Sequence, residues 1–256
     1  RARIEAGIRI EVASGVEEAR YIYLGILQSL PVFDKNILLV DIGGGSTEFL
    51  IAEQWHIAYD NSLKLGSIRL TQRFFKDGLT EAKQVKACRQ FIRGFMQHVI
   101  RESGKHKFEA AVGSSGTILN IASIINFKRG GNADIKLNNF TFTKDELAGV
   151  VDDILEAKTL KQRYKIPGLD EDRADIITAG ALIVEQIFKE LKIKEMTVSE
   201  YSLREGIIFD TIEKLFMNKL GSDVWVKLKE KTKKQVKEIA IDLIKLYAQR
   251  KSLLGF

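Results

Sequence analysis

Apolar positions along this chain fall into two kinds of stretch: short runs that are apolar throughout, and longer ones with helical spacing. Ile37 to Val40 is an unbroken aliphatic run, as in a strand covered on both faces. Thr47 to Ala52 and Trp55 to Leu63 follow at hairpin spacing, with Glu53 and Gln54 at the turn. Ahead of them, SGVEEARYIYLGILQSL carries apolar residues at Ala19, Ile22, Tyr23, Ile26, Leu27 and Leu30, a helical pattern. Ser14 and Gly15 offer its start, Glu17 and Glu18 lie in its first turn, and Pro31 stops it. A β-type run, Ile8 to Val12, precedes it. Downstream, the spacing predicts a helix over Ile68 to Phe75 and a long one from Thr80 to Glu102. Phe108 to Gly113 reads as a strand running into a helix that Gly113 and Gly116 open. Thr143 and Glu146 form a capping-box pattern, and KIPGLDEDR is a loop. RADIITAGALIVEQIFKEL is an apolar helix, Met196 to Ser199 a short strand, and SLREGIIFDTIEKLF a last helix of the body. The main-body order is β-β-β-α-α-β-α-α-α-β-α, an α/β chain.

Composition narrows the class. With 256 residues, 45% hydrophobic and 29% charged, the chain reads as a globular domain with room for one large core. No apolar run approaches the roughly 20 residues that span a bilayer. Cys88 is the single cysteine, sits in a helical pattern and reads as packing, which points to a reducing, cytoplasmic setting. His56, His98 and His106 show no metal-ligand spacing. The formal charge of +6 suits an anionic partner or a solvated basic surface. Between Trp225 and Arg250 a Lys-rich stretch has helical spacing, which reads foremost as a solvated helix face.

The unusual stretch is ILLVDIGGGSTEFLIA, where three glycines join two strands. A strand-to-strand connection argues against dinucleotide and Walker-type loops, which lead into a helix. Gly43, Gly44 and Gly45 present no Cβ, so a phosphate can approach the backbone and its N–H groups. Asp41 emerges where the strand ends, Ser46 and Thr47 add hydroxyls, and Glu48 adds a second carboxylate. A divalent cation between carboxylate and phosphate, or a water held by Asp41, removes the repulsion. The plain alternative is a tight hairpin, for which Asn-Gly suffices.

VDIGGGSTE resembles the second phosphate loop of the Ppx/GppA phosphatases, the exopolyphosphatases and guanosine pentaphosphate phosphohydrolases. ASGVEEARYIYLGILQSLP, SLKLGSIRLTQRFF, VGSSGTILNIA, EDRADIITAGALI and SEYSLREGI agree with that family in order and spacing, from about Ile8 to Ile212. The resemblance implies a ribonuclease-H-like fold of the actin, sugar-kinase and heat-shock ATPase superfamily, with a mixed sheet and helices on both faces. It implies hydrolysis of a terminal phosphoanhydride in inorganic polyphosphate or pppGpp, with Mg2+ as cofactor. By the same resemblance Glu18 is the general base, and Asp41, Gly43, Gly44, Gly45, Ser46 and Glu48 bind phosphate. Asp41 and Glu48 face the metal, while Gly113, Gly116 and Arg173 reach the distal part of the substrate. Glu17 reads as structural. An ion pair of Arg173 with Asp170 or Asp172, and plain packing at Gly113 and Gly116, are the alternatives.

The family places a further domain, with a first phosphate loop, ahead of this region. The expected organisation is therefore a linking strand and helix over 1–32, a ribonuclease-H-like domain over 33–218 and a basic helical extension over 219–256. On this reading the chain alone hydrolyses poorly. A binding-only domain for polyphosphate or an alarmone, and a phosphotransferase of the superfamily, are the competing classes. No membrane contact and no specific nucleic-acid binding are expected, and a homodimer is left open.

Overall fold

The structure is a computed structural model that describes residues 7, 12–53 and 56–220. Helix α1 (Gly15–Ser29) leads into an antiparallel meander of β1 (Ile37–Ile42), β2 (Thr47–Glu53) and β3 (His56–Leu63). Helices α2 (Ser67–Phe74), α3 (Ala82–Phe95) and α4 (Gln97–Ser103) carry the chain to β4 (Ala110–Ser114). Then come α5 (Gly116–Lys128), β5 (Thr141–Thr143), α6 (Lys144–Glu156), the single turn α7 (Leu160–Arg163), α8 (Ile177–Glu190), β6 (Glu195–Ser199) and α9 (Leu203–Leu220). The sheet order is β3-β2-β1-β4-β6-β5. β4 lies parallel to β1 and to β6, and the other pairings are antiparallel. Mixed sheet, central β1 and helical layers match the ribonuclease-H-like expectation.

β1 is aliphatic because both its faces are covered. Leu38, Val40 and Ile42, with Phe49 and Ile51 of β2, face the large core built with α2, α3, α5, α6 and α8. Ile37 and Leu39, with Leu50, Ala52 and Val112, face a second core under α1. Ala19, Ile22, Tyr23 and Ile26 supply the α1 side of it. The Ser14–Glu17 capping box starts α1: Ser14 N donates to Glu17 Oε2 (2.8 Å) and Glu17 N to Ser14 Oγ (3.3 Å). Glu17 is thereby committed to the helix end.

Helix α1 meets α9 through glycines. A Cβ on Gly206 would lie 1.7 Å from the Tyr21 carbonyl oxygen, and one on Gly25 would lie 2.3 Å from that of Ser202. Only bare backbone lets the helices approach this closely. Arg20 and Asp210 bridge the same pair of helices (2.5 Å).

Four expectations change. The long helix from Thr80 to Glu102 is two helices, because Met96 adopts φ −79 and ψ −4, well off the helical ψ. Ile92, Met96 and Val99 are all fully buried, so the apolar spacing runs straight through the break and hides it. The three-residue β5 is too short for any periodicity and went unpredicted. The KIPGLDEDR loop contains a 3-10 turn, Glu171–Arg173, capped by Asp170, whose side chain accepts from Asp172 N. Val12, expected at the end of a strand, is 90% exposed and in no regular element, and Ile8 to Glu11 lie outside the described residues. So does the stretch Trp225 to Arg250. Cys88 is fully buried in the core, where burial pushes its thiol up to about 12, as the packing role requires.

Gly206→Ala is expected to destabilise the protein by about 2 kcal/mol or more, because backbone must move to admit the methyl group. Urea unfolding of the two proteins checks this. An unchanged midpoint would mean that α1 and α9 are not in backbone contact.

Candidate functional site

Cross-strand register assembles the site. Asp41 and Glu48 are Cα partners in the β1–β2 ladder, so their side chains leave the same face of the sheet. Along β1 that face carries Ile37, Leu39 and then Asp41, and along β2 Ala52, Leu50 and then Glu48. It is the face under α1. Glu18 stands one turn before Ile22 on the helix side that packs there. Three elements therefore end an apolar layer with three carboxylates.

Little water reaches two of them. Asp41 is 7% and Glu48 2% exposed, while Glu18 is half-buried. Asp41 Oδ2 accepts from Ser114 Oγ at the end of β4 (2.5 Å) and from Ser202 Oγ just before α9 (2.8 Å). Glu48 Oε1 accepts from Ser62 Oγ (2.9 Å). Burial raises the pKa of Asp41 above the ordinary carboxylate range, against the hydroxyls of Ser114, Ser202 and Ser115. Burial likewise raises Glu48, opposed by Ser46 and Ser62 and reinforced by the charges of Glu18 and Asp41. Glu18 is raised by burial and then by Asp41. The three groups thus sense one another, and no cationic side chain among the described residues offsets them.

The glycine loop lies beside this cluster, and its carbonyls are taken by α2. Ser67 N donates to Gly43 O (3.0 Å), Arg69 N to Gly44 O (3.0 Å) and Arg69 Nε to Gly45 O (2.9 Å). In a trans peptide the C=O and the next N–H point in opposite directions. The N–H groups of Gly44, Gly45 and Ser46 are therefore turned away from α2. A Cβ on Gly44 would meet Ile68 Cδ1 at 2.6 Å, the tip of a 45% exposed side chain. Gly43 and Gly45 have no such neighbour: a Cβ would meet nothing nearer than 3.5 Å and 4.0 Å, and neither φ is positive. Thr47 is not available to a ligand, since its hydroxyl donates to the Leu65 carbonyl inside the fold.

The remaining sequence-predicted residues divide. Gly113 lies within β4, where a Cβ would strike Met196 Sδ at 2.5 Å and Ile118 Cδ1 at 2.7 Å, so packing accounts for it and it leaves the site. Gly116, at the start of α5, is covered by the Arg173 guanidinium, 2.7 Å from where a Cβ would be. Arg173 forms no ion pair with Asp170 or Asp172, and its charge sits where the helix macrodipole is already positive. The preceding Ser115 is held at φ 76 and ψ 169, a region that costs a non-glycine residue on the order of 1–3 kcal/mol. Its Oγ donates to the Ile42 carbonyl (2.5 Å), tying the α5 turn to the strand that enters the glycine loop.

Sequence reasoning missed Ser62, Ser114, Ser115, Ser202 and Arg69. The serine pair in VGSSGT was the one visible signal, since two hydroxyls beside glycines at a strand end suit a polar site. Ser62 and Ser202 lie within the family-like segments SLKLGSIRLTQRFF and SEYSLREGI, but nothing in either segment shows that Ser62 meets Glu48 or that Ser202 meets Asp41.

Among the described residues, no three His, Cys, Asp or Glu side chains are placed to hold a metal by themselves. The donor set nonetheless fits Mg2+, which typically takes one or two carboxylates and completes its shell with phosphate oxygens and water. Asp41 and Glu48 are the two hard-oxygen donors that could hold such an ion.

The family model for the Ppx/GppA phosphatase family matches residues 1–215. The chain belongs to the Ppx/GppA phosphatase family. A Haemophilus influenzae protein provisionally named an exopolyphosphatase is 32% identical over 81% of this chain and 61% of its own length. A Photobacterium profundum guanosine-5'-triphosphate,3'-diphosphate pyrophosphatase is 28% identical over 82% of this chain and 40% of its own. This Ppx/GppA chain thus spans about 40–61% of the length of these relatives. Among solved structures, an exopolyphosphatase from Cytophaga hutchinsonii superposes with a TM-score of 0.74 at 26% identity, covering 83% of this chain and 68% of that one. The Aquifex aeolicus family member gives 0.71 at 25%, covering 84% and 68%. The actin-like fold of these neighbours is the fold of this chain.

Folding raises the carboxylate pKa values, so the folded state keeps these protons to higher pH than the unfolded chain. Their contribution to stability is then fully present below the unfolded value, about 4.5 for glutamate, and is lost as pH rises through the raised folded value. Glu48→Gln should relieve this at neutral pH, a gain of about 1 kcal/mol or a Tm rise of about 2–4 °C. The gain should vanish near pH 4.5. Thermal unfolding at both pH values checks the sign. In Asp41→Asn, an NMR titration of Glu18 should move to lower pH, because the neighbouring charge that raises it is gone.

Proposed function

We propose that this chain forms one wall of a phosphoanhydride hydrolase that releases terminal phosphate from inorganic polyphosphate or pppGpp. The observation that carries this reading is a glycine loop with space over Gly43 and Gly45, next to three mutually repelling carboxylates. The terminal phosphate lies against the N–H groups of Gly44 to Ser46, and glycine is needed at 43 and 45 because a ligand fills the space a side chain would take. Glu18 accepts the proton of the attacking water as the oxygen–phosphorus bond forms and the bridging bond to the rest of the chain breaks. A raised pKa suits that work, since a general base is most effective near the working pH. Asp41, oriented by Ser114 and Ser202, and Glu48, oriented by Ser62, would hold Mg2+ together with substrate oxygens. When bound, that ion neutralises charge on the phosphoryl oxygens. Arg173 at the α5 turn takes a more distal phosphate, where fork geometry and helix terminus favour an anion together. No helix among the described residues is long and apolar enough to cross a membrane.

These groups reach the phosphate from one side, whereas phosphoryl transfer is fastest when charge is neutralised on several sides away from water. The chain on its own is expected to bind phosphate chains weakly and to turn them over slowly.

Two substitutions test the assignment. Gly43→Ala should leave the unfolding midpoint nearly unchanged, because the methyl group meets nothing nearer than the Ser46 carbonyl oxygen at 3.5 Å, an ordinary contact, yet reduce polyphosphate affinity by about 10-fold, roughly 1.4 kcal/mol. Unaltered binding by titration calorimetry would leave the loop a plain turn. In a full-length parent whose release from polyphosphate and pppGpp is measurable, Glu18→Gln should keep the affinity and lower that release by on the order of 10²–10⁴-fold. Equal release by the variant would remove Glu18 as the base.

A further inference from the structure

The turn that carries Arg173 is anchored at both ends by buried polar side chains outside the carboxylate cluster. Asn120 lies one turn into α5 from Gly116 and is 8% exposed. Its Nδ2 donates to the Gly116 carbonyl (2.9 Å). Its Oδ1 accepts from Asp170 N (2.8 Å), the residue that caps the 3-10 turn Glu171–Arg173. A carbonyl only accepts and a backbone N–H only donates, so these two partners fix which way the Asn120 amide faces.

At the other end stands Arg163, the last residue of α7, 2% exposed. Its Nε donates to the Ala174 carbonyl (2.8 Å) and its Nη2 to the Gly78 carbonyl (2.9 Å). Nη1 donates to Thr80 Oγ1 (3.1 Å) and to the Ala157 carbonyl (3.3 Å). Among the described residues Arg163 forms no ion pair, and burial pushes its pKa down. Burying a cation is costly unless its donors are satisfied. Here neutral acceptors satisfy them, from the α2–α3 connection, the end of α6 and the residue after Arg173. Only a planar guanidinium fork has donors enough, at fixed angles, to hold all of them; the ammonium of lysine does not.

Arg173 stands between these two anchors. Its N–H donates to the Asp170 carbonyl (2.9 Å), and its guanidinium lies across Gly116. One amide, that of Asn120, therefore ties together the turn that bears the guanidinium and the residue on which it rests. Glu171 and Asp172, in the same turn, are exposed. Freezing a long side chain when a ligand binds costs affinity, and a chain frozen beforehand avoids that cost.

We propose that Asn120 and Arg163 are positioning residues for Arg173, holding its turn so that the guanidinium lies over the start of α5 before any phosphate arrives. This rests on Arg173 as the group that takes a distal phosphate, and extends it to two residues that touch no substrate. Loss of either anchor releases Arg173 and weakens only those ligands long enough to reach it.

The first measurement needs no ligand. In the isotope-labelled 256-residue chain, the Arg173 Nε–H signal is expected to show the heteronuclear NOE of a rigid group. Asn120→Ala and Arg163→Lys should each shift it toward that of a mobile side chain. The second measurement is NMR titration with tripolyphosphate and with orthophosphate. Asn120→Ala is expected to lower tripolyphosphate affinity by about 3–10-fold and to change orthophosphate affinity by less than about 2-fold. In an Arg173→Ala background the same substitution should cost tripolyphosphate less than about 2-fold, because coupled residues do not add. A residue that only stabilises the fold would show no such dependence on Arg173. Should Arg163→Lys fail to fold, Asn120→Ala decides, since alanine suits a helix interior. An Arg173 signal that is mobile in the parent, or equally rigid in parent and variants, would overturn the positioning role. So would an affinity loss of the same size with and without Arg173. Release of Arg173 with tripolyphosphate affinity unchanged would uphold the positioning while removing Arg173 from phosphate binding.

Discussion

Asp41 and Glu48 face each other across the β1–β2 ladder, in a layer that is otherwise apolar and closed by α1. Their burial, with Glu18 beside them, is the constraint around which the neighbouring structure is arranged. Buried carboxylates need donors, and each donor here comes from a different element. Ser114 brings the end of β4, Ser202 the approach to α9, and Ser62 the end of β3. Hydroxyls satisfy the lone pairs of these carboxylates without bringing an opposite charge.

The same economy holds in the glycine loop. Helix α2 binds the carbonyl side of the loop through Ser67 and Arg69, leaving the donor side turned outward. This orientation needs the chain after β3 to pass very close to the loop, and Gly66 permits it. A Cβ there would lie 2.3 Å from the Gly44 carbonyl oxygen. Ser115 serves a parallel purpose at the other turn, where a strained backbone is held by its bond to Ile42. Strain of this kind survives where surrounding contacts over-determine it, and it gathers at functional sites. The α1–α9 contact through Gly25 and Gly206 then brings Glu18 and Ser202 to the cluster from opposite directions in the chain.

Much of this was legible beforehand. The unbroken run of β1, the hairpin, the amphipathic α1 and the buried α8 follow from burial acting on a strand or helix period. The three-glycine connection between strands excluded the common nucleotide loops, and the order of short motifs pointed to the family to which the chain belongs. Two kinds of feature resisted. Breaks that keep the apolar spacing, such as Met96, leave no trace in a pattern of hydrophobic positions. Strands of three residues, such as β5, are shorter than any period.

By itself the sequence determined the elements, the loop chemistry and the family, because propensity, periodicity and motif spacing are local properties of the chain. The tertiary structure alone decided which side chains share a face and which glycines are there for packing. Gly113 and Gly116 read alike in the sequence, yet one accommodates Met196 and Ile118 and the other Arg173. Asp41 gains Ser202 from 161 residues away. Pairings of that range come from strand register and helix docking, which close only once the whole core has formed.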